Sequence, residues 1–201
     1  MKKMTVRLRG MTPLLMHNNT TVNPLAPETK ALKELTDKTK KTDSDHEQIR
    51  RLEWQFGLYL DDEGLVAMPT ENIKGSLREG ARRTKSGKKV DRGVIFPQVS
   101  HPIDHESFGK NLDELYESNC DYRPVSSSGR KGGGGTVMRA RPVFRQWSVD
   151  IEVLYDEAEW KDQQQLLAAF EAAGAYAGLG DYRPSAPKGG SYGRFEAEVV
   201  G

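Results

Sequence analysis

Alternating apolar and polar residues in the second half of the chain constrain its fold more than any other feature. From Trp147 to Val153 every second residue is apolar, and Ser148, Asp150 and Glu152 stand between them. A period of two is typical of a β-strand with one buried face. The same period recurs near both termini, at Met4, Val6 and Leu8 and at Phe195, Ala197 and Val199. The chain therefore predicts a sheet whose strands come from its start, middle and end.

Two helical patterns lie between these strands. Residues 70–82 have the stripe Ile73, Leu77 and Ala81, with Thr70 or Asn72 as the expected cap, and residues 156–180 have a longer stripe that Gly178 ends. The order strand, helix, strand, strand, helix, strand predicts an α+β fold with a ferredoxin-like (RRM-like) core. We expect one domain over residues 1–201, with long inserted loops or a thumb at about 17–48 and 98–135.

Net charge excludes a protein that is basic as a whole. The 201 residues include 30 Lys and Arg and 29 Asp and Glu, for a net charge of +1. Any nucleic-acid site must therefore be local. Cys120 is the one cysteine, and the N-terminal sequence lacks the apolar run of a signal peptide or membrane span. These features predict a cytoplasmic protein without a membrane partner.

Basic residues concentrate in residues 72–93, where eight basic and two acidic residues give a net charge of +6. Lys74, Arg78 and Arg82 recur every four residues and so share one helical face. Gly75 would let a phosphate approach the backbone closely. The pattern favours a nucleic-acid backbone as ligand; a solvated charged face is the alternative.

Two glycine-rich segments carry further candidate ligands. Residues 123–145 contain six basic residues and no acidic one, among them Arg130, Lys131, Arg139 and Arg141. Residues 178–194 mix aromatic and cationic groups, which suits base stacking and phosphate contact, at Tyr182, Arg183, Lys188 and Arg194. The alternatives are a disordered surface loop for the first segment and a turn packed on its own sheet for the second.

Histidines offer weaker candidates. His101 and His105 have a spacing found in metal sites, but Pro102 disfavours the helix that would bring them together, so we expect neither a metal nor a cofactor. His17 follows the first strand and is a weak candidate for a catalytic general base. An exposed or structural role is the commoner one for a lone loop histidine.

Two motifs in this order resemble a known group. The stretch "VAMPTENIKGSLREGARR" is similar to the signature of the RAMP superfamily of CRISPR-associated RNA-binding proteins, with its core at Ile73–Arg78. The stretch "GLGDYRPSAPKGGSYGRFEAEV" is similar to the glycine-rich loop of that superfamily. Length and insertions most resemble the backbone subunits of the Cas-seven family. A stand-alone or phage-encoded relative is the alternative, since the loop after the first strand lacks the aspartate that catalytic members carry.

The resemblance implies a non-catalytic subunit that assembles along single-stranded RNA, such as a CRISPR RNA, in antiviral defence. Its partners would be further copies of itself, as an oligomer or filament, and other CRISPR effector subunits. Two other functions stay open. One is a metal-independent endoribonuclease of the same superfamily that uses His17 or a tyrosine; the other is a phage interference protein that mimics a backbone subunit and binds CRISPR proteins.

Overall fold

A computed structural model describes residues 1–127 and 135–201. The chain divides into two compact units. Unit 1 contains Met1–Leu15, Tyr59–Phe108 and Phe144–Gly201; unit 2 contains Met16–Leu58 and Gly109–Val143. The combination of helices with antiparallel sheets confirms the α+β prediction.

Helices and strands follow one another with short connections over most of the chain. In chain order they are β1 (Lys2–Gly10), β2 (Leu14–Leu15), α1 (Pro27–Thr36), α2 (Asp43–Gly57), β3 (Ala67–Pro69), α3 (Thr70–Arg82), α4 (Gly87–Gly93), β4 (Val94–Ile95), β5 (Ser100–Pro102), β6 (Asp104–His105), α5 (Leu112–Asn119), β7 (Cys120–Ser127), β8 (Gly135–Phe144), β9 (Trp147–Tyr155), α6 (Gln163–Ala172), a π-helical turn (Ala173–Ala177) and β10 (Phe195–Val199).

The main sheet of unit 1 has the strand order β10-β1-β9-β4, and all neighbouring strands are antiparallel. In its register Val6 lies opposite Ile151 and Leu8 opposite Val149. All four side chains are buried, as the alternation predicts. The opposite face is polar: Arg7 donates two hydrogen bonds of 2.7 Å to Asp150.

Helix α3 packs against α6 and the π-helical turn. Its predicted stripe is confirmed, because Ile73, Leu77 and Ala81 are all buried. Gly80 allows the close approach: a Cβ at this position would collide with the backbone nitrogen of Ala173. The backbone of α3 therefore touches the backbone of the π-helical turn directly.

The pattern of residues 143–153 predicts one long strand, but the structure divides it into β8 and β9. At the break, the backbone N–H groups of Arg145 and Gln146 donate to the carboxylate of Glu106, at 2.9 and 3.2 Å. These two amides therefore bind a side chain instead of a neighbouring strand, which ends the ladder.

Unit 2 combines α1, α2, α5 and the hairpin of β7 and β8. Trp54 is fully buried, donates to the backbone carbonyl of Asn119 at 3.0 Å and meets Tyr116 edge to face at 5.3 Å. Helix α2 was not predicted; Thr42 and Asp45 form a capping box at its start. In the described residues no helix is both long and apolar enough to cross a membrane.

Candidate nucleic-acid interface

The start of α3 is fixed by a buried hydrogen-bond chain. Thr70 is the first residue of the helix and does not cap it, and neither does Asn72, whose side chain contacts Met68 Sδ at 3.5 Å. The expected cap is therefore wrong. The Thr70 hydroxyl donates to the carbonyl of Gln98 at 2.5 Å. Its single proton is thereby used, so it accepts from His101 Nε2–H at 3.0 Å.

His101 is a structural residue of this chain of hydrogen bonds. It is fully buried, and burial lowers its pKa, so the neutral Nε2–H form is favoured. Its Nδ1 has no hydrogen-bond partner among the described residues.

His105 has different contacts from His101: its Nδ1 accepts from the backbone N–H of Ser107 at 3.2 Å, and its ring packs against Phe144. In residues 1–127 and 135–201 no three His, Cys, Asp or Glu side chains are grouped to hold a metal ion.

The predicted cationic face of α3 is partly neutralised. The Arg78 guanidinium forms an ion pair with Asp91, its Nε at 3.1 Å, and Arg82 pairs with Glu79 at 2.5 Å. Lys74 forms no ion pair with any residue that the structure describes. Exposed pairs of this kind contribute only about 0–1 kcal/mol each, so a phosphate can displace the carboxylates.

The positive patch extends from α3 through the turn into α4. Five of the eight basic residues in 72–93 are exposed: Arg82, Arg83, Lys85, Lys88 and Arg92. Lys89 is partly covered, and its ammonium group donates to the carbonyl of Glu159 at 3.0 Å. The exposed cations outnumber the two acidic residues, so the surface attracts polyanions.

Gly75 is an exposed glycine inside α3. Apart from its helix backbone and chain neighbours, no described heavy atom lies within 4 Å of the point where its Cβ would stand. A helix-interior glycine costs about 1 kcal/mol relative to alanine. Packing against neighbouring residues explains why position 80 is a glycine, but it does not explain the glycine at position 75 in the described structure.

Residues 178–194 form a loop that closes on itself. Leu179 donates to the carbonyl of Gly193 at 2.9 Å, and a Cβ at Gly193 would collide with the carbonyl of Leu179. A Cβ at Gly190 would likewise collide with the carbonyl of Tyr182. These glycines are therefore explained by the packing of the loop, which is the alternative that the sequence left open.

Two arginines of this loop donate hydrogen bonds to neighbouring groups of unit 1. Arg183 donates to the carbonyl of Gly180 at 2.9 Å and to the Ser185 hydroxyl at 3.1 Å, and Arg194 donates to the carbonyl of Ala175. A guanidinium has five N–H donors, so both retain others for a ligand. Lys188 is exposed, and Tyr182 has a left-handed φ of 50°.

The π-helical turn connects this loop to α3 within unit 1. It packs on α3 through Gly80 and Ala173, and the loop begins directly after it at Gly178, whose φ is 72°. At the end of α3, the guanidinium carbon of Arg83 lies 3.8 Å from the ring centroid of Tyr176. Arg83 is one of the eight basic residues expected from the sequence, whereas Tyr176 was not foreseen; the only aromatic side chain in "AGAYAGLG" was the available signal.

The polar face of the main sheet holds a depression of about 770 Å³, but its charges are balanced. Basic and acidic side chains line it in equal number: Arg7, Arg9, Arg145, Asp104, Glu106 and Asp150. A polyanion has no net electrostatic reason to bind there. The patch of α3 and α4 is the better candidate in unit 1.

Unit 2 contains a separate cleft of about 290 Å³ that brings three predicted residues together. His17, Arg139 and Arg141 all line it. Glu53, which was not foreseen from the sequence, holds one member of this group: its buried carboxylate forms an ion pair with Arg139 and accepts from the backbone N–H of Ala140 at 3.1 Å. Arg130 and Lys131 lie outside the described residues.

Comparison with known proteins gives a likeness in fold. No protein-family model matches the sequence, and no curated protein matches it significantly. The structure is similar to a chain in the cryo-EM structure of the Type III-B Cmr-beta bound to cognate target RNA. The two chains are 14% identical, with a TM-score of 0.53 over 99% of this chain and 61% of the other. This chain thus spans about three fifths of its neighbour's length and shares its fold.

Proposed function

We propose that this protein is a non-catalytic, backbone-type subunit that binds single-stranded RNA in a CRISPR-associated assembly. One observation carries the proposal: an exposed positive patch on α3 and α4 belongs to a fold shared with a chain of an RNA-bound complex. A protein of net charge +1 that concentrates cations on one surface suits a local polyanion ligand.

A ferredoxin-like core is part of this proposal. It is supported by the sheet order β10-β1-β9-β4: α3 lies in the connection from the central strand β1 to the edge strand β4, and α6 lies in the connection from the central strand β9 to the edge strand β10. This is the order expected of a split pair of βαβ units. The domain description, an RRM-like core with insertions at about 17–48 and 98–135, remains a proposal with it.

Phosphates would bind to Lys74, Arg78 and Arg82, with Gly75 as the point of closest approach. Binding would exchange the carboxylates of Asp91 and Glu79 for phosphate oxygens. Backbone contacts of this kind position a strand without reading its bases, so we expect low sequence specificity. The other candidate ligands keep that role as predictions: Tyr182, Arg183, Lys188, Arg194, Arg130, Lys131, Arg139 and Arg141.

Assembly belongs to the proposal as well. Copies would associate side by side along the RNA, through the segments 17–48 and 98–135, and other CRISPR effector subunits would join them. This role would place the protein in the cytoplasm, in antiviral defence. Recovery of the pure protein as a monomer, unchanged in size when RNA is added, would argue against it.

Charge reversal on α3 tests the binding. The variant with Lys74→Glu and Arg78→Glu should bind a labelled single-stranded RNA at least about tenfold more weakly than the wild type, measured by fluorescence anisotropy. The matched control is Lys2→Glu with Lys3→Glu, which makes the same charge change at two exposed ion pairs of unit 1. Equal effects of the two variants would contradict the proposed site. Absence of RNA binding would favour the protein-binding mimic.

The cleft of unit 2 supports a second candidate, the metal-independent endoribonuclease. His17 as general base would take the proton of a 2′-hydroxyl, whose oxygen would attack the adjacent phosphorus and expel the 5′-oxygen of the next nucleotide, while the two arginines would bind the phosphate. Cleavage of a hairpin RNA in the presence of a chelator, abolished by His17→Ala, would favour the enzyme. An intact RNA under these conditions favours the non-catalytic subunit.

A further inference from the structure

Tyr176 is an exposed aromatic side chain at the edge of the positive patch. Its exposed fraction is 54%, and the Arg83 guanidinium lies over one face of its ring, 3.8 Å from the centroid. Neighbouring exposed cations are Arg82 and Lys85. The stacked pair of Tyr176 and Arg83 thus adjoins, along the chain, two further exposed cations of unit 1.

The backbone holds Tyr176 in place rigidly. The residue belongs to a π-helical turn, a rare form of helix that recurs at functional sites. Gly174 in the same turn is tightly enclosed, because a Cβ there would collide with the carbonyl of Phe195. The turn also touches α3 at Gly80. Tyr176 therefore projects from a turn whose backbone is closely packed against both α3 and β10.

Packing alone does not account for this tyrosine. Its turn is buried through small residues, Ala173, Gly174 and Ala177, while Tyr176 as a whole is more than half exposed. Because the guanidinium lies over one ring face, a ligand can stack on this ring only from the opposite face. That face is flat, apolar and next to cations, which is the combination that receives a nucleobase.

We propose that Tyr176, backed by Arg83, stacks on an unpaired nucleobase while the adjacent cations contact its phosphates. The inference rests on the proposed function and names what the site selects. In a duplex both faces of each base are covered by neighbouring bases, so the ring can stack only on an unpaired base. Every base has a π-face, so this contact selects single strands without selecting a sequence.

The test compares two RNA strands of about twelve nucleotides, one complete and one in which every base is replaced by an abasic sugar. The wild type should bind the complete strand more tightly. Tyr176→Ala should weaken binding of the complete strand about tenfold and leave the abasic strand within about twofold, since one stacked base is lost. Tyr176→Phe keeps the aromatic face and should bind like the wild type.

Phe108→Ala provides the matched control, because Phe108 is also an exposed aromatic residue of unit 1, at 59%. It should change neither affinity. Equal weakening of both strands by Tyr176→Ala would assign the residue a structural role and overturn the stacking proposal. So would binding that Tyr176→Ala leaves unchanged, although the proposed RNA binding would then stand. A wild type that binds neither strand would contradict the proposed function itself.

Discussion

At the scale of single residues, His101 illustrates how a histidine that resembles a metal ligand can serve another purpose. Its Nε2–H completes the hydrogen-bond chain that starts α3, and its spacing from His105 has no part in that role. From the sequence, Pro102 was the argument against a metal site, and the hydrogen bond to Thr70 was not foreseen. The physical reason is burial of His101 beside Thr70, which no local pattern displays.

His101 should make folding sensitive to acid. Burial lowers its pKa in the folded state, whereas the unfolded chain has the ordinary value of about 6.5. Below that value the unfolded state binds more protons, so the free energy of unfolding falls as pH decreases, by at most about 1.4 kcal/mol per pH unit for one proton. Urea unfolding measured at pH values from about 7.5 to about 5, which bracket the ordinary histidine value, should show this decline for the wild type.

His101→Gln keeps an N–H donor for Thr70 but cannot titrate. The variant should be less stable at neutral pH and lose less stability on acidification. The pKa of His105 is also lowered by burial, so His105→Gln measures the second contribution separately. An unchanged pH dependence in both variants would show that these histidines do not govern acid stability.

At the scale of elements, the two glycines inside α3 should behave in opposite ways. Gly80→Ala forces a Cβ into the backbone of Ala173 and should destabilise the fold by about 1–3 kcal/mol, in spite of the better helix propensity. Gly75→Ala meets open space and should stabilise it by up to about 1 kcal/mol. Thermal unfolding measures both, and a destabilising Gly75→Ala would contradict this reading of α3.

Gly75→Ala should affect RNA affinity and stability in opposite directions. A methyl group there keeps a phosphate away from the helix backbone, so Gly75→Ala should weaken RNA binding although it strengthens the fold. If Gly75→Ala raised both the stability and the RNA affinity, Gly75 would not be part of the proposed interface.

Elements also show where the sequence was informative. The stripe of α3 and the alternation of β1 and β9 were visible because one face of each element is buried in a regular period. Helix α2 was missed because its first turn is polar, although Thr42 and Asp45 formed a recognisable capping box. The Lys38 ammonium and this cap hold the pKa of Asp45 at about 2, which marks it as a structural carboxylate.

At the scale of the whole molecule, the combination of helices with antiparallel strands could be derived from the sequence, but the contacts of the site could not. Local period identifies a strand or a helix. The ion pairs Arg78–Asp91 and Arg139–Glu53 instead depend on residues that are distant in the chain. The π-helical turn that presents Tyr176 has no sequence period of its own. The cations were therefore predictable as candidates and their partners were not.

Salt concentration should strongly affect the proposed RNA binding, because the protein as a whole is nearly neutral and only a local group of cations would contact the phosphates. The logarithm of the RNA affinity should fall linearly with the logarithm of the salt concentration, because a few bound phosphates release their counterions. The variant with Lys74→Glu and Arg78→Glu should show a shallower slope in the same titration. An affinity independent of salt would contradict binding through phosphates.

The carboxylates beside Arg78 and Arg82 have a consequence for movement. Asp91 and Glu79 can take back their arginines whenever a phosphate leaves, so neither guanidinium passes through an unpaired state. If RNA binds as proposed, we expect exchange between one phosphate and the next to have a low barrier. Such a surface would let a subunit shift along a strand until its neighbours lock it in register.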